Sequence, residues 1–319
     1  MYTAFYGLRE LPFDLSPNPK YLLMTPRHRE ALANLQYGIS SRKSITLLLG
    51  EAGTGKTTLV RAALESDACR GARILHLNNP ALKRNEFIEF LARGFDLGVE
   101  AMTSKTTMLH ELERVLRDRR AQGETIALVI DEAQSLSHEL LEEIRLLANI
   151  ETSTEKLLPV VLAGQPELAD RLNEISLRQL KQRVALRCHL GLLSPTETAG
   201  YIAGRLRVAG GDAGQIFTRE AVEIVAERSG GVPRTVNVIC DNALVGGFAA
   251  GAKPVGARIV RDVCEEFDLA SAPPTNGARG AAEPGVSVAP KPAAPEAAAP
   301  GAEGPMFGAV NRRRRFSFF

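Results

Sequence analysis

"TLLLGEAGTGKTTLV", residues 46–60, joins an apolar run to a glycine-rich bend and then to a second apolar pattern. Thr46 to Leu49 has the length and composition of a buried strand, and Lys56 to Leu64 reads as a helix. Between them Gly50, Gly55, Lys56 and Thr57 satisfy the spacing G-x-x-x-x-G-K-[ST], with Glu51, Ala52, Gly53 and Thr54 in the gap. The glycines let successive main-chain amides face phosphate oxygens, and the helix start adds a favourable dipole. Lys56 then reaches the β and γ oxygens, the Thr57 hydroxyl meets Mg²⁺, and Thr58 completes the first helical turn. An ordinary glycine-rich turn between strand and helix is the alternative. The strand before the loop and the helix after it favour phosphate binding.

Outward from this stretch, short β-like runs alternate with helical patterns. Strands are expected at Arg73–Leu77, Ile126–Ile130, Pro159–Ala163 and Ala185–Leu190, and helices at Arg84–Leu91, Thr106–Arg120, His138–Ala148 and Leu177–Gln182. Strands separated by helices predict an α/β fold with a parallel sheet and crossover helices. After Ser194 the pattern turns helical. "SPTETAGYIAGRLRVAG" opens on a capping serine with proline at the first helical position and closes at Gly210 and Gly211. "TREAVEIVAERSGG" repeats the arrangement from Thr218, and "VPRTVNVICDNALVGGFAAG" and "GARIVRDVCEEFDL" supply two more helices. The expected organisation is a leader with a first helix (1–43), an α/β nucleotide-binding domain (44–191), a helical lid (192–269) and a tail (270–319). From Ser271 onward 26 of 49 residues are Ala, Pro or Gly, so the tail is expected to be disordered, ending in the basic "RRRRFSFF".

The chain of 319 residues is 45% apolar and 24% charged, with a net charge of +2. Setting aside the tail's six basic and three acidic residues leaves 33 Lys plus Arg against 34 Asp plus Glu. A near-neutral body lacks the basic footprint of nucleic-acid binders, which disfavours DNA as a partner. The four cysteines are scattered without a CxxC pair, as in a reduced cytosolic protein. "MYTAFYGLRELPF" lacks the layout of a secretory signal, and no stretch approaches the roughly 20 apolar residues of a membrane span. A cytoplasmic location is expected. The basic aromatic end either contacts an anionic membrane peripherally or is a solubilising extension.

Four further motifs carry chemistry. "IALVIDEAQSL" ends an apolar strand on Asp131, suited to the Mg²⁺ shell, and Glu132, placed to polarise an attacking water; two acids starting a helix are the alternative. "LPVVLAGQPEL" puts Gln165 after a strand, where it senses the γ-phosphate if that strand lies beside the Asp131 strand; a Gln-Pro turn is the alternative. "SLRQLKQRVALRCHL" clusters Arg178, Lys181, Arg183 and Arg187. This is either a solvated face or the source of an arginine finger, Arg183 or Arg178, reaching a neighbour's γ-phosphate, worth on the order of 10³ to 10⁵ in rate. In "SGGVPRTVNVICDNAL", Arg234 occupies a first helical turn where the dipole disfavours cations, which points to an anionic partner; a surface arginine is the alternative.

Taken in order, these segments resemble the AAA+ ATPases, and more closely the ExeA type, general secretion pathway protein A and its relatives. The resemblance begins at "FYGLRELPFDLSPNPKYLLMTPRHREALANLQYGI" and runs through "GEAGTGKTT", "LVIDEAQSL", "IRLLANIET", "LAGQPEL", "LRQLKQRV", "HLGLLSPTET", "YIAGRLRVAG" and "SGGVPRTVNVICDNAL", covering Met1 to about Leu269. It implies a P-loop NTPase sheet of the ASCE class in three layers with a helical lid, ATP and Mg²⁺ as ligands, and assembly of identical chains into a ring or filament. It also implies Arg234 as the lid arginine and a finger within "LRQLKQRV". The leader would cross the nucleotide-binding edge and enclose adenine with His28 nearby, or else form a stapled extended arm held by Phe5, Tyr6 and Phe13. Secretion proteins of this type continue into a membrane span and a peptidoglycan-binding domain; the 270–319 segment stands there in this chain, which argues against a direct cell-wall role. The function implied is an ATP-hydrolysing motor or switch for secretion or envelope-polysaccharide export machinery. A DNA-associated regulator like the TniB-type transposition helpers and a nucleotide-bound scaffold with negligible turnover are the competing readings.

Overall fold

The structure, a computed structural model, describes residues 1–78 and 81–269; the expectation for the 270–319 tail lies outside the described residues. In chain order the helices are α1 (Tyr2–Tyr6), α2 (Pro26–Ser40), α3 (Lys56–Leu64), α4 (Arg84–Gly94), α5 (Lys105–Ala121), α6 (His138–Leu147), α7 (Pro166–Leu172), α8 (Arg178–Lys181), α9 (Pro195–Val208), α10 (Ala213–Ile216), α11 (Arg219–Ser229), α12 (Pro233–Ala249) and α13 (Ala257–Glu266). The strands are β1 (Ile45–Gly50), β2 (Ala72–Leu77), β3 (Thr125–Ile130), β4 (Val160–Gly164) and β5 (Val184–Leu190).

All strand pairs are parallel, in the order β2-β3-β4-β1-β5. The α/β expectation therefore holds. β1 is buried along its whole length, as a parallel strand covered on both faces must be. Alternate side chains serve different layers. Ile45, Leu47 and Leu49, with Leu128, Ile130 and Leu162, pack against Phe87, Leu91, Met108, Leu112 and Ile144 of α4, α5 and α6. Leu48, Ala127, Val129 and Val161 face Ala31, Leu35 and Ile39 of α2 and Leu59 and Val60 of α3. The result is three layers.

Register brings the functional ends level. Leu49 pairs with Gly164, Gly50 with Leu190, Ile130 with Leu162 and Leu77 with Ile130. β4 is inserted between β1 and β3, so the chain leaving β1 must cross two strands to reach β2. This reversal opens a crevice at the carboxyl edge, where ligands bind in open α/β sheets.

The helices after Ser194 meet the sequence expectation, starting from a capping box in which Ser194 and Glu197 satisfy each other's backbone amides. Their core is built by Ile202, Leu206, Val225, Val236, Ile239, Leu244 and Val260. The same core contains Tyr2, Tyr6, Leu8 and Phe13 of the leader. Tyr2 hydrogen-bonds Asp241, the Tyr6 hydroxyl donates to the Ala252 carbonyl (3.1 Å), and Arg9 N–H donates to the Ala209 carbonyl (2.8 Å). The leader thus opens with a helical turn, α1, rather than as an extended arm throughout. Two other segments also depart from their sequence reading. Residues after Gln165 continue into α7, and the helix expected over 177–182 is a 3₁₀ turn (Ile175–Leu177) leading into the four-residue α8.

Phe13 is among the largest fully buried side chains, at 1% exposure. Phe13→Ala should cost about 3–5 kcal/mol, read from urea unfolding followed by circular dichroism. A loss below about 1 kcal/mol would show that the leader is not part of the lid core.

Candidate functional site

The bend after β1 is held by its own carbonyls. Thr54 Oγ1 donates to the Glu51 carbonyl (2.8 Å), and the left-handed residues Gly53 (φ 79°) and Gly55 (φ 96°) turn the chain into α3. Lys56 is 5% exposed, and its Nζ donates to the carbonyls of Gly50 (2.8 Å) and Glu51 (3.0 Å). Burial draws the ammonium below its ordinary pKa, opposed by the carboxylates of Glu132 and Asp131. Gly53 is required by more than its φ. A Cβ there would stand 2.7 Å from Cβ of Arg234, whose main-chain N–H donates to the Gly53 carbonyl (3.2 Å). The start of α12 therefore rests directly on the loop, and Arg234 lines a cavity that Gly53, Lys56 and Thr57 also line.

Asp131 follows β3 and is 4% exposed. Its N–H donates to the Leu77 carbonyl (2.9 Å), its Oδ1 accepts the Glu132 N–H (2.9 Å), and its Oδ2 accepts from Thr57 Oγ1 (2.5 Å). A hydroxyl and a carboxylate side by side form a hard-oxygen donor pair that suits Mg²⁺ when phosphate and water complete the shell. Among the described residues no group of three or more His, Cys, Asp or Glu could hold a metal ion by itself. Glu132 adopts left-handed backbone (φ 53°), a strain of about 1–3 kcal/mol for a non-glycine residue, and lines the cavity beside Lys56 and Thr57. Gln165 stands after β4, one strand from β3, which is the adjacency that the sequence reading required.

The cavity, about 350 Å³, is closed by the leader on one side and the lid on the other. Arg205 of α9, 5% exposed, donates to the Tyr201 hydroxyl (2.6 Å) and the Asp14 carbonyl (3.3 Å), with its guanidinium 4.6 Å from the Tyr21 ring centre. Tyr201 in turn donates to Asn237 Oδ1 (3.0 Å). His28, also buried, pairs its Nδ1 with Thr25 Oγ1 (2.7 Å) and lies against the Thr54 main chain. Burial holds its pKa below the usual 6.5, with Glu197 opposing.

The structure brings Lys56, Thr57, Asp131, Glu132, Gln165 and Arg234 to one edge. Arg178 and Arg183 stand elsewhere. Arg183 precedes Val184, which pairs with Ile45 at the amino end of β1, whereas the phosphate loop leaves its carboxyl end. Five residue steps at about 3.3 Å put roughly 16 Å between them. Arg178 opens the four-residue α8, which ends before Arg183, and is exposed. Arg183 thus stands away from the loop of its own chain. The sequence reading missed Tyr21, Tyr201, Arg205, Asn237 and Gln134. A signal was present for two of them, since Tyr201 and Arg205 lie four residues apart on the buried face of α9, where an arginine is out of place unless it has partners.

The AAA domain family matches residues 39–172. Over 255 residues, 80% of this chain, the sequence is 42% identical to General secretion pathway protein A of Aeromonas hydrophila. The chain spans 46% of that relative's length. Among solved structures, the ORC2 protein of Aeropyrum pernix in its ADPNP-ADP complexes superposes with a TM-score of 0.62 at 17% identity, covering 82% of this chain and 72% of that one. Drosophila ORC bound to DNA superposes with a TM-score of 0.61 at 20% identity, covering 81% and 65%. At these identities the likeness is one of fold.

A histidine held neutral by burial binds fewer protons folded than unfolded, so stability is full above pH of about 6.5 and falls as pH drops through that value. His76, likewise depressed by burial, has the same sign. Between pH of about 7.5 and 5.5 the wild type should therefore lose more melting temperature than His28→Gln, by the share that belongs to His28. Equal losses in differential scanning fluorimetry would remove His28 from this linkage.

Proposed function

We propose that this chain, which carries an AAA+ module of the general secretion pathway protein A type, binds ATP with Mg²⁺ and hydrolyses it. The observation that carries the reading is the Glu132 carboxylate, which faces the same cavity as Lys56 and Thr57 while Asp131 is bonded to Thr57. The amides from Glu51 to Thr58 and the Lys56 ammonium hold the phosphates. Thr57 and Asp131 would hold Mg²⁺, which when bound would supply positive charge against the phosphates. Glu132 orients a water and accepts its proton, and Gln165 fixes the line of approach. Arg234 offers a cation from the lid, so lid position and phosphate occupancy are read together.

The remaining cation comes from a second copy. Arg183 lies too far from its own loop to act there, which supports a role in trans, with Arg178 as the second candidate. Assembly into a ring or filament then controls turnover. The relative's name supports service to secretion machinery as the larger role; envelope-polysaccharide export is the related role we propose beside it, with the chain on the cytoplasmic side, in peripheral contact with the inner membrane. Among the described residues no helix is long and apolar enough to cross a membrane.

Glu132→Gln should keep ATP affinity and lower turnover by about 10²-fold or more, with an enlarged oligomer in ATP by size-exclusion chromatography. Hydrolysis at the wild-type rate would falsify the assignment of Glu132. Separately, mixing inactive Lys56→Ala chains with inactive Arg183→Ala chains should restore part of the activity, because a chain with an intact loop then meets a chain with an intact finger. Silence at every ratio would exclude Arg183 as the trans donor.

A further inference from the structure

Two residues beyond Glu132, the side chain of Gln134 uses both ends of its amide. Nε2 donates to Glu132 Oε2 (2.6 Å), and Oε1 accepts the main-chain N–H of Gln165 (3.0 Å). Chemistry fixes this orientation. Turned over, the amide would set its oxygen against a carboxylate and its NH₂ against an N–H, which loses both bonds.

The surroundings allow the amide little play. Arg171 of α7 donates to the carbonyls of Gln134 and Leu136, both at 2.7 Å, which anchors the 3₁₀ turn Ala133–Ser135 to the helix after β4. Gly164 gives it room, since a Cβ there would lie 3.1 Å from Gln134 Oε1 and 2.9 Å from Cδ2 of Leu168. Gln134 is not among the residues lining the cavity, whereas Glu132 is. A single side chain thus connects the carboxylate in the cavity to the end of β4, without touching the space where nucleotide would sit.

We propose that Gln134 is the positioning residue of Glu132, coupling the carboxylate to the β4 edge at Gln165. One carboxylate oxygen is held by the amide, which leaves the other to face water. A displacement of Gln165 is passed through two hydrogen bonds to the carboxylate. The inference rests on the reading of Glu132 as the group that activates water.

The two bonds can be separated by substitution in the full-length chain. Gln134→Met keeps the shape and removes both bonds. Gln134→Glu keeps an acceptor for the Gln165 N–H but replaces the donor with a like charge that pushes Glu132 away. Both should lower kcat by about tenfold or more at unchanged KM for ATP, with Gln134→Glu at least as impaired as Gln134→Met. If Gln134 merely held the turn at Gln165, Gln134→Glu would be near wild type and Gln134→Met the impaired one; that order overturns the proposal. So does wild-type kcat in both variants, or a rise in KM that matches the fall in kcat/KM. Melting temperatures and binding of a fluorescent ATP analogue identify a folding defect, and a loss of kcat that only tracks unfolding also overturns it. Glu132→Gln measured alongside separates the two failures. If it retains turnover, the reading of Glu132 falls; if it loses turnover while both Gln134 variants keep theirs, only the coupling falls.

Discussion

A buried ammonium must be surrounded by oxygen, and much of this molecule is organised around that requirement at Lys56. Removing a charge from water costs several kcal/mol unless carbonyls or carboxylates replace the hydration shell. The loop supplies the carbonyls of Gly50 and Glu51. The carboxylates of Asp131 and Glu132 come from a different strand, so β3 has to end level with β1 even though β4 separates them. The register of three strands, each shut between helix layers, holds that alignment. The same alignment that makes the lysine tolerable sets the Thr57–Asp131 oxygen pair and the Glu132 carboxylate at one edge.

The second organising fact is the division of the leader between two cores. Tyr2, Phe5, Tyr6 and Phe13 are built into the helical lid, and the next helix, α2, is built into the sheet layer with α3. The segment between them crosses the cavity at Tyr21 and is fastened by Arg205 from the lid side. Contact between lid and phosphate loop at Gly53 and Arg234 closes the circuit. Lid, leader and loop thus share one boundary, and the polar network of Tyr201, Arg205 and Asn237 is what seals it. Arg205 bonds Tyr201 within the lid and the Asp14 carbonyl of the leader, which ties the lid's position to the leader's.

What could be read in advance follows from range. The phosphate loop and the Asp131–Glu132 pair are local patterns, each an apolar strand followed by its chemistry, and they were legible with residue numbers. The place of Gln165 was legible only conditionally, because its proposed role depends on β4 being inserted beside β3, and strand order is a product of tertiary packing. The seven residues of α7 were too short to show a helical period after Gln-Pro. Tyr2 and Asp241 are 239 positions apart, and nothing local to either announces the other. Gln134 was hidden for a different reason. A glutamine after two acids looks like any polar turn residue, and its value lies in the spacing of two hydrogen bonds that exist only once β4 is in place.

The roughly 16 Å that separates Arg183 from its own phosphate loop has a consequence for what the isolated chain is. Donor and receiver are parts of one rigid sheet, so no flexing of side chains brings them together within a subunit. On the proposed role of Arg183, a well-folded solitary copy is an incomplete enzyme, and becoming complete is a matter of concentration. The number of working sites in a cell then depends on how many copies have neighbours, and any process that gathers the chains in one place switches them on without altering a single bond inside them.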